Sequence, residues 1–205
     1  MAVNHSQRAV GSTGERTRQR IIVAAQRLLT ARGHLQFSMR NIAVAARMHL
    51  ANVQYYFPRR DDLVRALLHD TGERYRDNYQ RLLAQAGRDP RRRFRAVVAF
   101  NLGDIADPGT RRYFTQLWAL LDRLDRGSGT LLDELYRVDL AQLSERIAEL
   151  VPHLAASELR MRATLLAALI EGAMLVRGAY SPSRPGQRRL ATRLARECLA
   201  IATGA

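Results

Sequence analysis

The chain is 205 residues long, with 47% hydrophobic and 25% charged residues, a composition that excludes a disordered chain and fits one large domain or a small domain joined to a larger one. Its longest nearly uncharged apolar stretch, Ala163 to Val176, is broken by Glu171 and falls short of the ~20 apolar residues of a membrane-spanning helix; the single cysteine, Cys198, excludes an internal disulfide framework and a cysteine-based zinc site. The net charge of +14 rests entirely on arginine, whose weakly hydrated, bidentate donors suit phosphate and guanine.

In chain order, proline and glycine separate segments of helical periodicity, with no strand-like alternation between them. The first eighteen residues lack an apolar h-region, so no signal peptide is expected. A first helix places Ile21, Ala25, Leu28 and Leu29 on one stripe and stops at Gly33; Ser12 and Glu15 have capping-box spacing, and Thr13 or Thr17 is an equal alternative start. A short helix follows, with Ser38 as N-cap, Phe37 placed to staple against Ile42, and Met39, Ile42, Ala43 and Ala46 as its apolar face. After Arg47-Met48-His49 comes a second short helix, Leu50 to Phe57, halted by Pro58. A long helix from about Asp61 to Leu83 begins with two carboxylates that its dipole favours. Asp89-Pro90 then starts a helix carrying Phe94, Val97, Val98, Asn101, Leu102 and Ile105. Asp107-Pro108-Gly109 starts the next, with Phe114, Leu117, Trp118 and Leu121. Gly127-Ser128-Gly129 precedes a helix from about Thr130 to Leu150, and Pro152 separates it from one spanning about Ser157 to Ala179. Ser181-Pro182 and Pro185-Gly186 precede the last, with Leu190, Leu194, Leu199 and Ile201. The fold class is therefore all-α, with about nine helices.

The charge is unevenly spread. Residues 1–60 hold ten arginines against one acidic residue, Glu15, whereas residues 61–205 hold 23 against 18. Such a footprint suits a polyanion: DNA, RNA or an anionic membrane surface. Two short helices joined by a tight turn behind a longer helix have helix-turn-helix geometry. In the second, Leu50, Ala51, Val53 and Phe57 are apolar, while Asn52, Gln54, Tyr55 and Tyr56 remain as polar or amphipathic edges. Asn and Gln suit adenine, tyrosine hydroxyls suit phosphate oxygens, and Arg40 suits guanine or a phosphate. Arg59 and Arg60 fall beside the expected DNA backbone. The bland alternative is a small helical subdomain with internal tyrosines and solvated arginines; the local charge favours duplex DNA. RNA or an anionic membrane surface is the runner-up partner.

The run FSMRNIAVAA from Phe37 and the run NVQYYFPRRDDL from Asn52 resemble the DNA-binding region of TetR-type transcriptional repressors, as does the layout of an N-terminal helix ending in Ala31-Arg32-Gly33 before a larger helical part. The resemblance is specific over about residues 15–65. It implies a homodimer through the last two helices, two recognition helices in successive major grooves of a pseudopalindromic operator, and a small-molecule pocket in the C-terminal part. The expected organisation is a flexible arm over 1–14, a DNA-binding domain over 15–62 and an effector-binding and dimerisation domain over 63–205. By position, Arg40 and Gln54 become base readers, and Leu50 and Ala51 touch thymine methyls. Ser38, Asn52, Tyr56 and Arg60 become phosphate contacts, Tyr55 either packs or reaches the backbone, and His49 at the start of the recognition helix is counted among the DNA-binding residues. Arg47 stands where the family commonly has a turn glycine, His49 where it has a Ser or Thr N-cap, and Ala51 where glycine is frequent. A left-handed turn would thus cost strain at Arg47, and His49 would cap poorly.

The larger part then reads as a sensor released from operator by an apolar or amphipathic ligand, acting in the cytoplasm. Candidate lining residues are Phe100, Phe114, Trp118, Leu121, Tyr136, Leu169 and Met174, each of which, taken singly, reads first as ordinary core. Two polar residues stand out: Asn101 within an apolar stripe, and Glu171, a carboxylate that if buried needs a partner or a raised pKa, the candidate partners being an arginine across the dimer interface and a polar ligand group. Gly172 suits close helix packing. The arginine run at 88, 91–93 and 95 reads as a solvated helix start: the preceding helix is about 35 Å long at ~1.5 Å per residue, so the run falls far from DNA bound at its other end. Cys198 reads as core or interface. The five histidines, His5, His34, His49, His69 and His153, are scattered, and no nucleotide loop, HExxH or G-x-S-x-G occurs. No catalytic residue, metal or cofactor is expected.

Overall fold

A computed structural model describes residues 13–125, 130–180 and 183–204, the side chains of 125 and 178–180 excepted. Among these residues there are nine α-helices, one three-residue 3-10 turn and no strand. The helices are α1 Thr13–Arg32, α2 Met39–Ala46, α3 Leu50–Tyr56, α4 Arg60–Ala86, α5 Pro90–Asp104, α6 Pro108–Asp125, α7 Thr130–Leu150, α8 Ala156–Tyr180 and α9 Arg184–Thr203. Ser12, His5, the glycines at 127 and 129, and Ser181-Pro182 lie outside the described residues. The chain divides into two compact units between Leu67 and Leu68, inside α4.

Local sequence sets the helix ends. α1 reaches back to Thr13, so Thr13 and Gly14 belong to the helix and not to an arm. It ends where Gly33 turns left-handed at φ 78°. Ser38 caps α2 by accepting the Asn41 N–H at 3.2 Å, and Phe37 and Ile42 are both buried, as a hydrophobic staple requires. At the start of α4, Asp62 reaches back to accept the Arg59 N–H at 3.0 Å, which sets the helix start at Arg60. Asp89 caps α5 through the Arg91 N–H at 2.9 Å, with Pro90 in the first turn. Pro185 and Gly186, expected to precede α9, lie inside its first turn. Ser183 is the N-cap and accepts the Gly186 N–H at 3.2 Å; proline is tolerated there because first-turn N–H groups have no helical partner.

The first unit closes over Ile21, Ile22, Ala25 and Leu29 of α1, Ile42 of α2, Val53 of α3 and Leu63, Val64 and Leu67 of α4, all essentially inaccessible. Those three α4 residues belong to the first unit, five residues beyond the expected boundary at 62. The second unit packs α5, α7, α8 and α9 around Phe94, Val98, Leu143, Ile147, Leu166 and Cys198. Cys198 is core; burial pushes its thiol up to about 11 and keeps it protonated. The arginine run is not wholly solvated. Arg93 makes a bidentate pair with Glu149 at 2.8 and 3.1 Å, and Arg146 reaches the same carboxylate at 3.1 Å, tying α5 to α7.

Candidate nucleic-acid interface and interior cavity

The turn between α2 and α3 is built at a conformational cost. Arg47 takes φ 55°, ψ 50°, the left-handed conformation glycine adopts freely, and its strain is about 1 kcal/mol. The turn is held by the Met48 N–H donating to Ala43 O at 2.9 Å. His49 is the N-cap of α3, and its side chain makes no capping hydrogen bond. Serine at this position would supply the missing acceptor. His49→Ser is therefore expected to stabilise the first unit by about 1 kcal/mol, read as a higher urea midpoint with unchanged slope.

α3 buries Val53 and Phe57, one turn apart, and turns the opposite arc outward. Ala51, Asn52, Gln54 and Tyr55 are exposed, with Leu50 and Tyr56 half-buried at the two edges. Tyr55 is 79% exposed and meets Tyr56 edge-on at 5.2 Å, so it stacks on a neighbour and does not enter the core. A helix seven residues long that gives most of its perimeter to water does little for stability; it presents side chains. Arg40 is exposed in the first turn of α2. Ser38 uses its oxygen as an acceptor in the cap, which leaves its O–H as a donor.

The arginines divide into two uses. Arg18 lies over the Phe57 ring at 5.0 Å and Arg60 over the Phe37 ring at 5.9 Å, each covering a buried aromatic. Arg60 is half-buried in this position. Arg59 is 76% exposed and only loosely paired, 3.8 Å from Asp61.

The second unit contains a cavity of about 810 Å³, its open mouth included, walled by α4 to α8. Of the expected ligand residues it gathers Asn101, Phe114, Trp118, Tyr136, Glu171 and Met174. Phe100, Leu121 and Leu169 do not line it. Leu121 is fully buried, and Phe100 stands behind the wall, edge-on to Tyr75 at 5.9 Å and Tyr79 at 5.7 Å. Sequence reasoning missed Thr71, Tyr75, Tyr79, Ile105, Asp139 and Gln142. Tyr75 and Tyr79 lie one helical turn apart on the otherwise polar middle stretch of α4, and that spacing was the available signal.

Hydrogen bonds explain the polar residues inside. Tyr79 donates to Asn101 Oδ1 at 2.7 Å, with Asp139 Oδ1 at 3.2 Å as a second acceptor. Tyr136 donates to Glu171, and Tyr75 to Asp104. Glu171 therefore has a partner within its own subunit, and among the described residues it forms no ion pair with an arginine. Burial, reinforced by the negative charge of Asp139, pushes the Glu171 carboxyl up to about 7 against the opposing pull of the Tyr136 hydrogen bond. Burial also raises Asp139, partly offset by Tyr79. Among the described residues no group of histidine, cysteine and carboxylates is placed to hold a metal ion, and no helix is long and apolar enough to cross a membrane.

Among the described residues, then, an all-helical fold presents an exposed helix-turn-helix in one unit and a cavity in the other. The sequence profile described as bacterial regulatory proteins, tetR family, matches residues 21–67. An uncharacterized HTH-type transcriptional regulator in the dhlA 5′ region of Xanthobacter autotrophicus is 33% identical over 165 residues, covering 75% of this chain and 76% of that protein. The HTH-type transcriptional regulator BetI of Stenotrophomonas maltophilia is 29% identical over 165 residues, covering 77% and 79%. A transcriptional regulator from Pseudomonas aeruginosa PAO1 shares the fold, with a TM-score of 0.74 at 20% identity over 94% of this chain and 91% of that one. The chain belongs to the TetR family of bacterial regulatory proteins. It is a transcriptional regulator with a DNA-binding helix-turn-helix, and not an enzyme.

Proposed function

We propose that the protein is a cytoplasmic, dimeric repressor that grips a pseudopalindromic operator and releases it when a small apolar or amphipathic molecule fills the cavity. The observation that carries this reading is α4: it starts beside the helix-turn-helix at Arg60 and supplies Thr71, Tyr75 and Tyr79 to the cavity wall. A ligand that displaces those tyrosines acts on the helix that follows the DNA-reading element. Specific binding by a dimer needs half-site centres ~34–36 Å apart, so a shift of a few ångströms between recognition helices abolishes it.

The dimer is supported by α8. Met161, Leu165, Leu175 and Val176 are between 51% and 64% exposed, and with Thr164, Ala168 and Gly172 they form one outward stripe at helical spacing. A Cβ at Gly172 would meet nothing within its own subunit. The stripe runs most of the length of the helix and is too apolar for a face left in water. α9 faces outward with Arg188, Arg189 and Arg196, so within the last two helices α8 brings the apolar part of the interface.

In the DNA-bound complex Arg40 and Gln54 read base edges, Leu50 and Ala51 meet thymine methyls, and Ser38, Asn52, Tyr56, Arg59 and Arg60 hold phosphates. Footprinting on the DNA flanking the coding region tests the class: a protected palindrome is expected, and equal affinity for scrambled duplex overturns it. Gln54→Ala is expected to cost about 1–3 kcal/mol at one base position only. Arg59→Ala is expected to weaken all duplexes alike and to reduce the salt slope by about 1. Arg59 is the cleaner probe, because removing Arg60 also uncovers Phe37. A competition assay in which both variants lose affinity uniformly across sequences refutes the division of roles.

A further inference from the structure

We propose that the cavity takes an organic cation with an apolar body, its charge set against Glu171 and Asp139 and its body against the aromatic wall of Tyr75, Phe114 and Trp118. The proposal rests on the reading of this cavity as the effector site and names the chemical class of the effector.

The wall is aromatic in an unbroken series. Tyr75 meets Tyr79 at 6.2 Å and Phe114 at 6.0 Å, and Phe114 meets Trp118 at 6.3 Å. Aromatic faces carry negative potential and attract cations, most strongly when water is excluded. The Trp118 indole N–H is buried in the wall and makes no well-formed hydrogen bond, although the Tyr136 hydroxyl lies beside it. Asp139 and Glu171 face the same space from α7 and α8.

The charge balance inside is negative. The other ionisable groups toward Glu171 are Tyr136 beside Asp139 on α7, and Tyr75, Tyr79 and Arg76 on α4, with Asp104 of α5 behind Tyr75; α6 offers only neutral rings. Arg76 is held by Glu73 on its own helix. Among the described residues these two carboxylates in a partly dry cavity form no ion pair, the charge of Asp139 acts on Glu171, and both hold their protons more tightly than in water. An anionic ligand would add a third negative charge. A neutral ligand would leave the repulsion in place. A cation relieves it and completes the aromatic cage.

The sign of the pH dependence follows. With Glu171 near 7 in the empty cavity, a bound cation favours its ionised form, so binding releases protons at neutral pH and tightens as pH rises through 7.

Trp118 is the single tryptophan of the chain, so intrinsic emission reports the cavity directly. The full-length protein is titrated with benzyltrimethylammonium, with its uncharged carbon isostere neopentylbenzene, and with phenylacetate, at pH 6 and pH 8. Benzyltrimethylammonium is expected to bind at least about tenfold tighter than neopentylbenzene at pH 8, with a smaller margin at pH 6, and phenylacetate is expected to bind weakest. Glu171→Gln and Asp139→Asn keep acceptors for Tyr136 and Tyr79 and remove only charge. Each is expected to lower cation affinity about tenfold and to leave neopentylbenzene affinity unchanged, with helix content intact. Equal binding of cation and isostere, unchanged cation affinity in both variants, or no Trp118 response to the cation overturns the proposal. Operator release is measured in the same samples. Release by the isostere without a cation preference would leave the repressor reading standing and sink the ligand class. Cation binding that leaves the operator occupied would do the reverse.

Discussion

Leu165→Asp combined with Val176→Asp is expected to yield a folded monomer whose operator affinity is about 10²–10⁴-fold lower than that of the parent protein. Both residues lie on the outward stripe of α8 and are more exposed than buried. Within one subunit the substitutions therefore cost little beyond helix propensity, roughly 0.5 kcal/mol each. Between subunits they place four carboxylates in one apolar contact, where unpaired charge is costly. Losing the dimer removes the second recognition helix, and with it the high effective concentration that makes two weak half-site contacts act as one tight contact. Light scattering reads the mass, circular dichroism the retained helix, and a gel-shift titration the affinity. A variant that stays dimeric would show that the subunits associate through another face.

Phe57→Ala is expected to destabilise the first unit by about 3–5 kcal/mol and to abolish operator binding at 37 °C. Phe57 is 1% exposed, ends α3, donates its N–H to Val53 O at 2.9 Å and carries the Arg18 guanidinium over its ring. Few other residues tie α3 to anything, since only Val53 is buried within that helix. Truncation thus opens a cavity under the one element that must be held rigid to read DNA. For a unit of this size, whose total stability is of the order of 5–15 kcal/mol, that loss is a large share. The second unit keeps its own core, so Trp118 emission and its ligand response should be unchanged while amides of α1 to α3 lose exchange protection. Phe57→Leu, which refills most of the volume, should recover most of the binding.

The residues that set these helices are local, and they were legible as such. Ser38, Asp89 and Gly33 act within four residues of the helix end they define, and the stripes of α1 and α2 follow from a 3.6-residue repeat that any reader of the sequence can count. Arg47 and His49 stood out for the same reason: the backbone of a tight turn constrains which residues fit it, and the φ of 55° and the missing cap are both found. The extent of α4 and the placing of Pro185 within α9 were less legible, because a helix end frays or extends by a turn according to contacts made elsewhere.

The cavity was only half legible. Glu171 announced itself as the one charge in an apolar stretch, and Asn101 as the polar residue in an apolar stripe, but the partners that satisfy them, Tyr136 and Tyr79, lie 35 and 22 residues away. Apolar and aromatic residues that line a void have the same periodicity as those that fill a core, so Phe114 and Leu121 look alike in sequence and part company only when five helices meet. What this sequence determined by itself was an all-helical chain with a basic reading head, since charge, caps and periodicity act along the chain. What only the tertiary structure decided was which side chains face empty space and which apolar stripe is left facing outward, because both depend on packing between segments that the chain brings together from far apart.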